Sequence, residues 1–131
     1  VLVAAVAMVG CGNDSASAPA GVATANVVER DFKINGPQHL DAGPVRFSID
    51  NRGPDAHEFI LLRSDGKPLP LRDDGITVDE DAVESRTIAT LEPEQPGVHE
   101  VDAELTPGRY VMLCNMSGHL LGGMHDQVVV G

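Results

Sequence analysis

From Val27 onward, apolar residues fall in short runs of period two, punctuated by Gly, Pro and Asn, with no long stretch of helical period. Val45, Phe47 and Ile49 alternate with Arg46, Ser48 and Asp50, which predicts a half-buried strand closed by Asn51-Arg52-Gly53-Pro54. Val101, Ala103 and Leu105 alternate in the same way with Glu100, Asp102 and Glu104, and Thr106-Pro107-Gly108 then turns the chain. Phe59–Leu62 is continuously apolar, as in a strand covered on both faces. Val27–Ile34 ends at the turn Asn35-Gly36-Pro37, and Arg109–Cys114 and Gln127–Val130 complete the set. Ser64–Pro70 is predicted to be a loop. Leu71–Thr90 has the weakest pattern, and its acidic stretch Asp79–Glu84 suits either a short helix or an exposed loop. This spacing predicts an all-β Greek-key β-sandwich of about seven to eight strands.

The first residues follow a different pattern. Val1–Gly10 is uncharged and apolar, too short for a transmembrane helix but suited to the apolar core of a secretory signal. Met8-Val9-Gly10-Cys11 resembles a bacterial lipobox, in which the cysteine is diacylated and becomes the mature N-terminus. Asn13–Asn26 is rich in Ser, Ala and Gly and reads as a flexible tether. The expected organisation is a signal remnant over residues 1–10, a lipid-anchored tether over 11–26 and one domain over 27–131. Such a chain is held outside the cytoplasmic membrane by lipid on Cys11.

Composition narrows the chemistry. A chain of 131 residues supports one sizeable core. With three Phe, one Tyr and no Trp, that core must be built from aliphatic side chains. The net charge of −11, with no basic cluster along the sequence, argues against nucleic acid and anionic membrane surfaces as partners. It is compatible with a basic redox partner and equally with simple solubility. The chain has two cysteines. If Cys11 carries lipid, Cys114 is a lone thiol in an exported protein, and a metal ligand is the economical use for it.

Cys114-Asn-Met-Ser-Gly-His119-Leu-Leu-Gly-Gly-Met124 lies directly behind the apolar stretch Tyr110–Leu113, with His57 upstream. One thiolate, two imidazoles and a thioether are the donor set of a blue-copper electron-transfer centre. Gly118, Gly122 and Gly123 allow the loop to fold tightly around an ion. Each ligand alone has a plainer reading: a buried small hydrophobe for Cys114, a strand-end histidine for His57, core filler for Met124. The joint spacing favours metal. Met116 is a rival thioether, but two residues after the cysteine it is poorly placed to cap the far side. His125 is expected to point away from the site, and His39 and His99 to lie on the surface.

On these residues the chain resembles the cupredoxin, or type 1 blue-copper, family over about Ala25–Gly131. The resemblance implies a sandwich with one copper at its end, His57, Cys114 and His119 as equatorial ligands, Met124 as the weak axial one, and one-electron transfer. Many members carry Asn, Asp or Ser directly after the first histidine, where it braces the thiolate loop; here that residue is Glu58, and Asn115 or Asn51 could substitute. The expected function is electron shuttling between redox proteins, cytochromes or a terminal oxidase or reductase among them. The electron would cross at the His119 edge, through a docking patch of Met116, Leu120 and Leu121. A cell-surface copper-delivery protein would use the same donors, although the chain has no Met-rich or His-rich tract. An oxidase is disfavoured by the lack of paired His-x-His motifs, and four protein ligands leave no open position for substrate.

Overall fold

The computed structural model describes residues 20–131, so Cys11 and the signal-like segment lie outside the described residues. Nine strands form two sheets. The first sheet contains β1 (Ala23–Arg30), β2 (Lys33–Asn35), β4 (Gly43–Asn51) and β7 (Gly97–Leu105), in the order β2-β1-β4-β7. The second contains β3 (His39–Leu40), β5 (His57–Arg63), β6 (Thr87–Glu94), β8 (Gly108–Leu113) and β9 (His125–Val130), in the order β3-β9-β8-β5-β6. Two single-turn helices, α1 (Glu80–Val83) and α2 (His119–Gly122), sit in connections.

The expected sandwich is present, with corrections at its margins. Val27–Ile34 is a hairpin rather than one strand: Arg30 pairs with Lys33, and the chain turns between them. The strand count exceeds the expectation because β2 and β3, of three and two residues, are too short to show alternation. β1 begins at Ala23, so the end of the stretch read as tether is strand, held by parallel pairing of Ala23–Glu29 with Val45–Asn51. Small residues suffice there because the ladder is made by backbone. The acidic stretch forms α1, with the Asp79 side chain accepting from the Ala82 amide and Val83 buried beneath.

Alternation decides what fills the space between the sheets. Val27, Val45, Phe47 and Ile49 meet Phe59, Leu61, Tyr110 and Met112, all at most 2% exposed. The continuously apolar β5 serves two cores. Phe59 and Leu61 face inward, whereas Ile60 and Leu62 join Val78, Val83, Leu113 and Leu120 in a second cluster. That second cluster lies on the opposite face of the sheet, beneath the segment 64–86 that carries α1. Tyr110 secures the turn before β8. Its hydroxyl donates to the Thr106 carbonyl (2.8 Å) and accepts from the Thr106 amide (3.2 Å) and Arg63 Nη1 (3.0 Å). Tyr110→Phe strands these groups around a buried ring and should cost about 1–3 kcal/mol in urea denaturation, with the fold retained.

One inward position breaks the apolar rule. Glu29 follows Ala25 and Val27 on the buried face of β1 and is 1% exposed, with Oε1 lacking any partner among the described residues. Burial pushes its carboxyl up from 4.5 to about 7. A folded-state value above the unfolded one favours the fold while the group is protonated, and that contribution is lost as pH rises from 4.5 through 7. Glu29→Gln, neutral at every pH, should therefore match the parent chain at pH 4 and exceed it at pH 8. The expected margin is up to about 3 kcal/mol, read as the difference in thermal or urea unfolding at the two pH values.

Candidate metal centre

The antiparallel register of β5 with β8 sets Ile60 opposite Leu113, which carries His57 and Cys114 to the same end of the sandwich. His57 stands at the head of β5 behind a turn fixed by Asn51. That buried amide donates to the Asp55 and Glu94 carbonyls (3.1 and 2.9 Å) and accepts from the Gly53 amide (2.7 Å). Cys114 follows β8. The loop behind it is knitted through its own backbone: the Cys114 amide donates to the Met124 carbonyl (3.1 Å), and the Met124 and Gly123 amides donate to the His119 carbonyl. Gly118 and Gly123, at either end of α2, have φ of +82° and +118°, conformations that side chains beyond glycine rarely adopt. Gly122 and Gly123 also leave room for Phe32; a Cβ on Gly122 would come 3.0 Å from the Phe32 Cβ, and one on Gly123 would come 3.2 Å from its carbonyl oxygen.

Three donor atoms converge. His57 Nδ1 and His119 Nδ1 are 3.2 Å apart, and Cys114 Sγ lies 3.9 Å from the first and 3.5 Å from the second. All three residues are buried. The triangle is the right size for an ion: a point equidistant from its corners is about 2.1 Å from each, against bonds of about 2.0–2.3 Å to nitrogen and thiolate for a comparable divalent metal. Met124 is fully buried, and its backbone is bonded to both Cys114 and His119. A thiolate, two imidazoles and a thioether brought together in this way fit copper better than a hard cation.

The surroundings supply what such a site needs. The Glu58 amide donates to Cys114 Sγ (3.4 Å), a bond that strengthens when sulfur is a thiolate. Burial pushes the Cys114 thiol up to about 11, with amide contacts from Met116 and Glu58 partly opposing. Burial lowers His57, against the pull of Asp31, which favours the neutral ring that metal ligation needs. With Nδ1 turned inward, the outer nitrogens meet carboxylates. His57 Nε2 is 2.9 Å from Asp31 Oδ1, close but not aligned as a hydrogen bond, and His119 Nε2 is 3.7 Å from Asp55 Oδ2. Carboxylates behind ligating histidines orient the rings and raise their basicity.

The bracing role is divided among the residues considered for it. Asn51 fixes the approach to His57. Asn115 exchanges bonds with the Val78 backbone (2.7 and 3.1 Å) and donates to Glu80 (2.7 Å), tying the thiolate loop to the 64–86 segment. Burial raises the Glu58 carboxyl to about 7, Glu80 and Glu92 add to the rise, and contact with the Asn115 amide opposes it. His125 is exposed at the start of β9, and His39 is exposed too; His99 is half-buried and bonded to the Gln95 carbonyl. The expected apolar patch is only partly present. Leu121 is 61% exposed and Met116 half-buried, but Leu120 is turned down into the second core cluster. Its place in the patch passes to Phe32, 47% exposed and packed edge-on against His119 with ring centres 4.9 Å apart. Sequence reasoning missed Asp31, Phe32 and Asp55 because they reach the site from two connections with no motif of their own.

No protein-family model and no curated protein matches the chain. Solved structures do. Auracyanin A, a "blue" copper protein from Chloroflexus aurantiacus, superposes with a TM-score of 0.62 at 18% identity, over 85% of this chain and all (100%) of that one. Reduced auracyanin from Roseiflexus castenholzii gives 0.59 at 17% identity, over 81% and 94%. Rusticyanin from Thiobacillus ferrooxidans gives 0.57 at 20% identity, over 82% and 77%. The fold is that of the cupredoxins. In this sandwich the triangle of donors sits at the end where β5 begins and β8 finishes.

Because the Cys114 thiol is protonated at neutral pH, metal uptake must release its proton. Apparent copper affinity should rise about tenfold per pH unit between pH 6 and 8, as measured by competition with a chelator of known protonation constants. An uptake independent of pH would show that the thiol is not a ligand.

Proposed function

We propose that this chain is a blue-copper electron-transfer protein, with His57, Cys114 and His119 as equatorial ligands and Met124 as the axial one. The observation that carries the reading is the buried triangle of Cys114 Sγ and two imidazole Nδ1 atoms, 3.2–3.9 Å on a side. Copper bound there would supply one-electron chemistry between Cu(I) and Cu(II). The protein's part is to hold the donors still. His57 comes from a strand end pinned by Asn51, Cys114 from a strand end pinned by β5, and His119 and Met124 from a loop closed by its own backbone bonds. A frame with so few ways to move favours neither oxidation state's own geometry, which suits fast exchange.

Electrons would enter and leave beside His119, where Phe32 and Leu121 offer exposed apolar surface. Asp31 and Asp55 border this face and favour a partner with basic groups around an apolar centre. Cytochromes and terminal oxidases or reductases are partners of the expected kind. The lipobox-like Met8-Val9-Gly10-Cys11 supports a lipid anchor on Cys11 and a place outside the cytoplasmic membrane.

The test is a visible spectrum of the protein titrated with Cu(II). An intense thiolate-to-copper band should develop to one copper per chain, vanish in Cys114→Ser and bleach reversibly with reductant. Tight Cu(I) binding with no such band would mean copper handling rather than electron transfer.

A further inference from the structure

The outer face of the second sheet carries the second core cluster, and the 64–86 segment covers it incompletely. Between that segment and strands β8 and β9 runs an open groove of about 890 Å³. Leu62, Leu69, Val111 and Leu120 give it an apolar floor. Its rim is basic: Arg63, Lys67, Arg86 and Arg109 line it, four of the nine lysines and arginines in the whole chain. Among the described residues no carboxylate lines it. In a chain of net charge −11, this concentration of cations on one concave apolar surface runs against the overall charge.

The cations are only partly spoken for. Arg63 is held by neutral oxygens, Thr106 Oγ1 and Pro107 O (both 2.6 Å) and the Tyr110 hydroxyl (3.0 Å), so its position is fixed while its charge is uncancelled. Arg86 is partnered by Asp65 at 3.3 Å. The side chains of Lys67 and Arg109 have no hydrogen bond or ion pair with the described residues. A groove of this size falls within the range of about 300–1,000 Å³ typical of small-molecule sites, which are mostly apolar with a few placed polar groups.

We propose that this groove binds a small amphipathic anion, its apolar body on the Leu62–Val111–Leu120 floor and its acidic head among Arg109, Lys67 and Arg63. Charge decides for a small ligand over an acidic macromolecule. The net charge of the chain opposes a large anionic partner approaching from a distance, whereas a small anion within the groove lies inside a screening length of about 8 Å from the cations. Leu120 and Leu121, which follow His119, line the groove, so an occupant abuts the loop that carries His119. The assignment rests on the groove alone and stands whether or not the centre binds copper.

The probe is decanoate, kept below its micelle concentration and titrated calorimetrically into the protein, with decanol as the uncharged counterpart. One saturable site is expected for decanoate, with decanol about tenfold weaker or more, the factor for losing a charge-assisted contact of roughly 1.5 kcal/mol. The double variant Arg109→Glu/Lys67→Glu alters two side chains without partners in the fold, and its unchanged unfolding curve would show that it folds. It should lose at least about tenfold in decanoate affinity. No saturable binding of decanoate, equal affinity for decanol, or undiminished binding by the folded double variant would each overturn the proposal.

Discussion

The register between β5 and β8 is the constraint on which the metal end depends. Pairing Ile60 with Leu113 leaves His57 and Cys114 projecting at one end of adjacent strands and brings the Glu58 amide onto the cysteine sulfur. A slip of β5 by one residue would turn Phe59 and Leu61 out of the main core and carry His57 away from Cys114. The apolar packing therefore enforces the ligand geometry. A sheet buried on both faces has no register it can reach without exposing one cluster or the other, so the donors inherit the rigidity of two cores at once.

Much of this was legible in the sequence, for identifiable reasons. Val45–Asp50 and Glu100–Leu105 alternate cleanly because β4 and β7 each bury one face; Phe59–Leu62 does not alternate because β5 buries both. Cys114 and His119 could be read as neighbours at one site because they are close in sequence, with Met124 five residues further on. What could not be read came from pairings between distant segments. The parallel ladder that recruits Ala23–Asn26 into β1 needs only backbone, so it leaves no mark on residue type. Asp31, Phe32 and Asp55 are ordinary turn residues until the fold sets them against the two histidines. Leu120 and Leu121 are the same residue type in adjacent positions. Only the direction of a single helical turn decides that one anchors the loop while the other meets solvent.

The charges are arranged by depth. Near the donors, carboxylates dominate: Asp31 and Asp55 at the outer nitrogens, Glu29 buried on β1 and Glu58 behind the cysteine. Burial, and after it Glu29 and Glu58, oppose formation of a thiolate, whereas carboxylates around the donors stabilise a cation placed among them. They make the centre inhospitable without an ion and favourable with one. Arg63, Arg86 and Arg109 lie on the outer side of the second sheet, where Arg63 braces the turn before β8 through Tyr110 and Thr106.

The hydrogen bonds from Cys114 to Met124 and from Met124 to His119 make the loop a closed circuit, joined to the sandwich through β8, β9, the Asn115 side chain and Leu120. Such a loop behaves as a cassette. Adding or deleting a residue between His119 and Met124 would strain both internal bonds together. An exchange of the whole segment between the same two strands would preserve the closure, provided that the new loop also fills Leu120's place in the second core cluster. Variation in the metal's environment is thus channelled into replacement of the complete loop, while the frame that presents it stays constant.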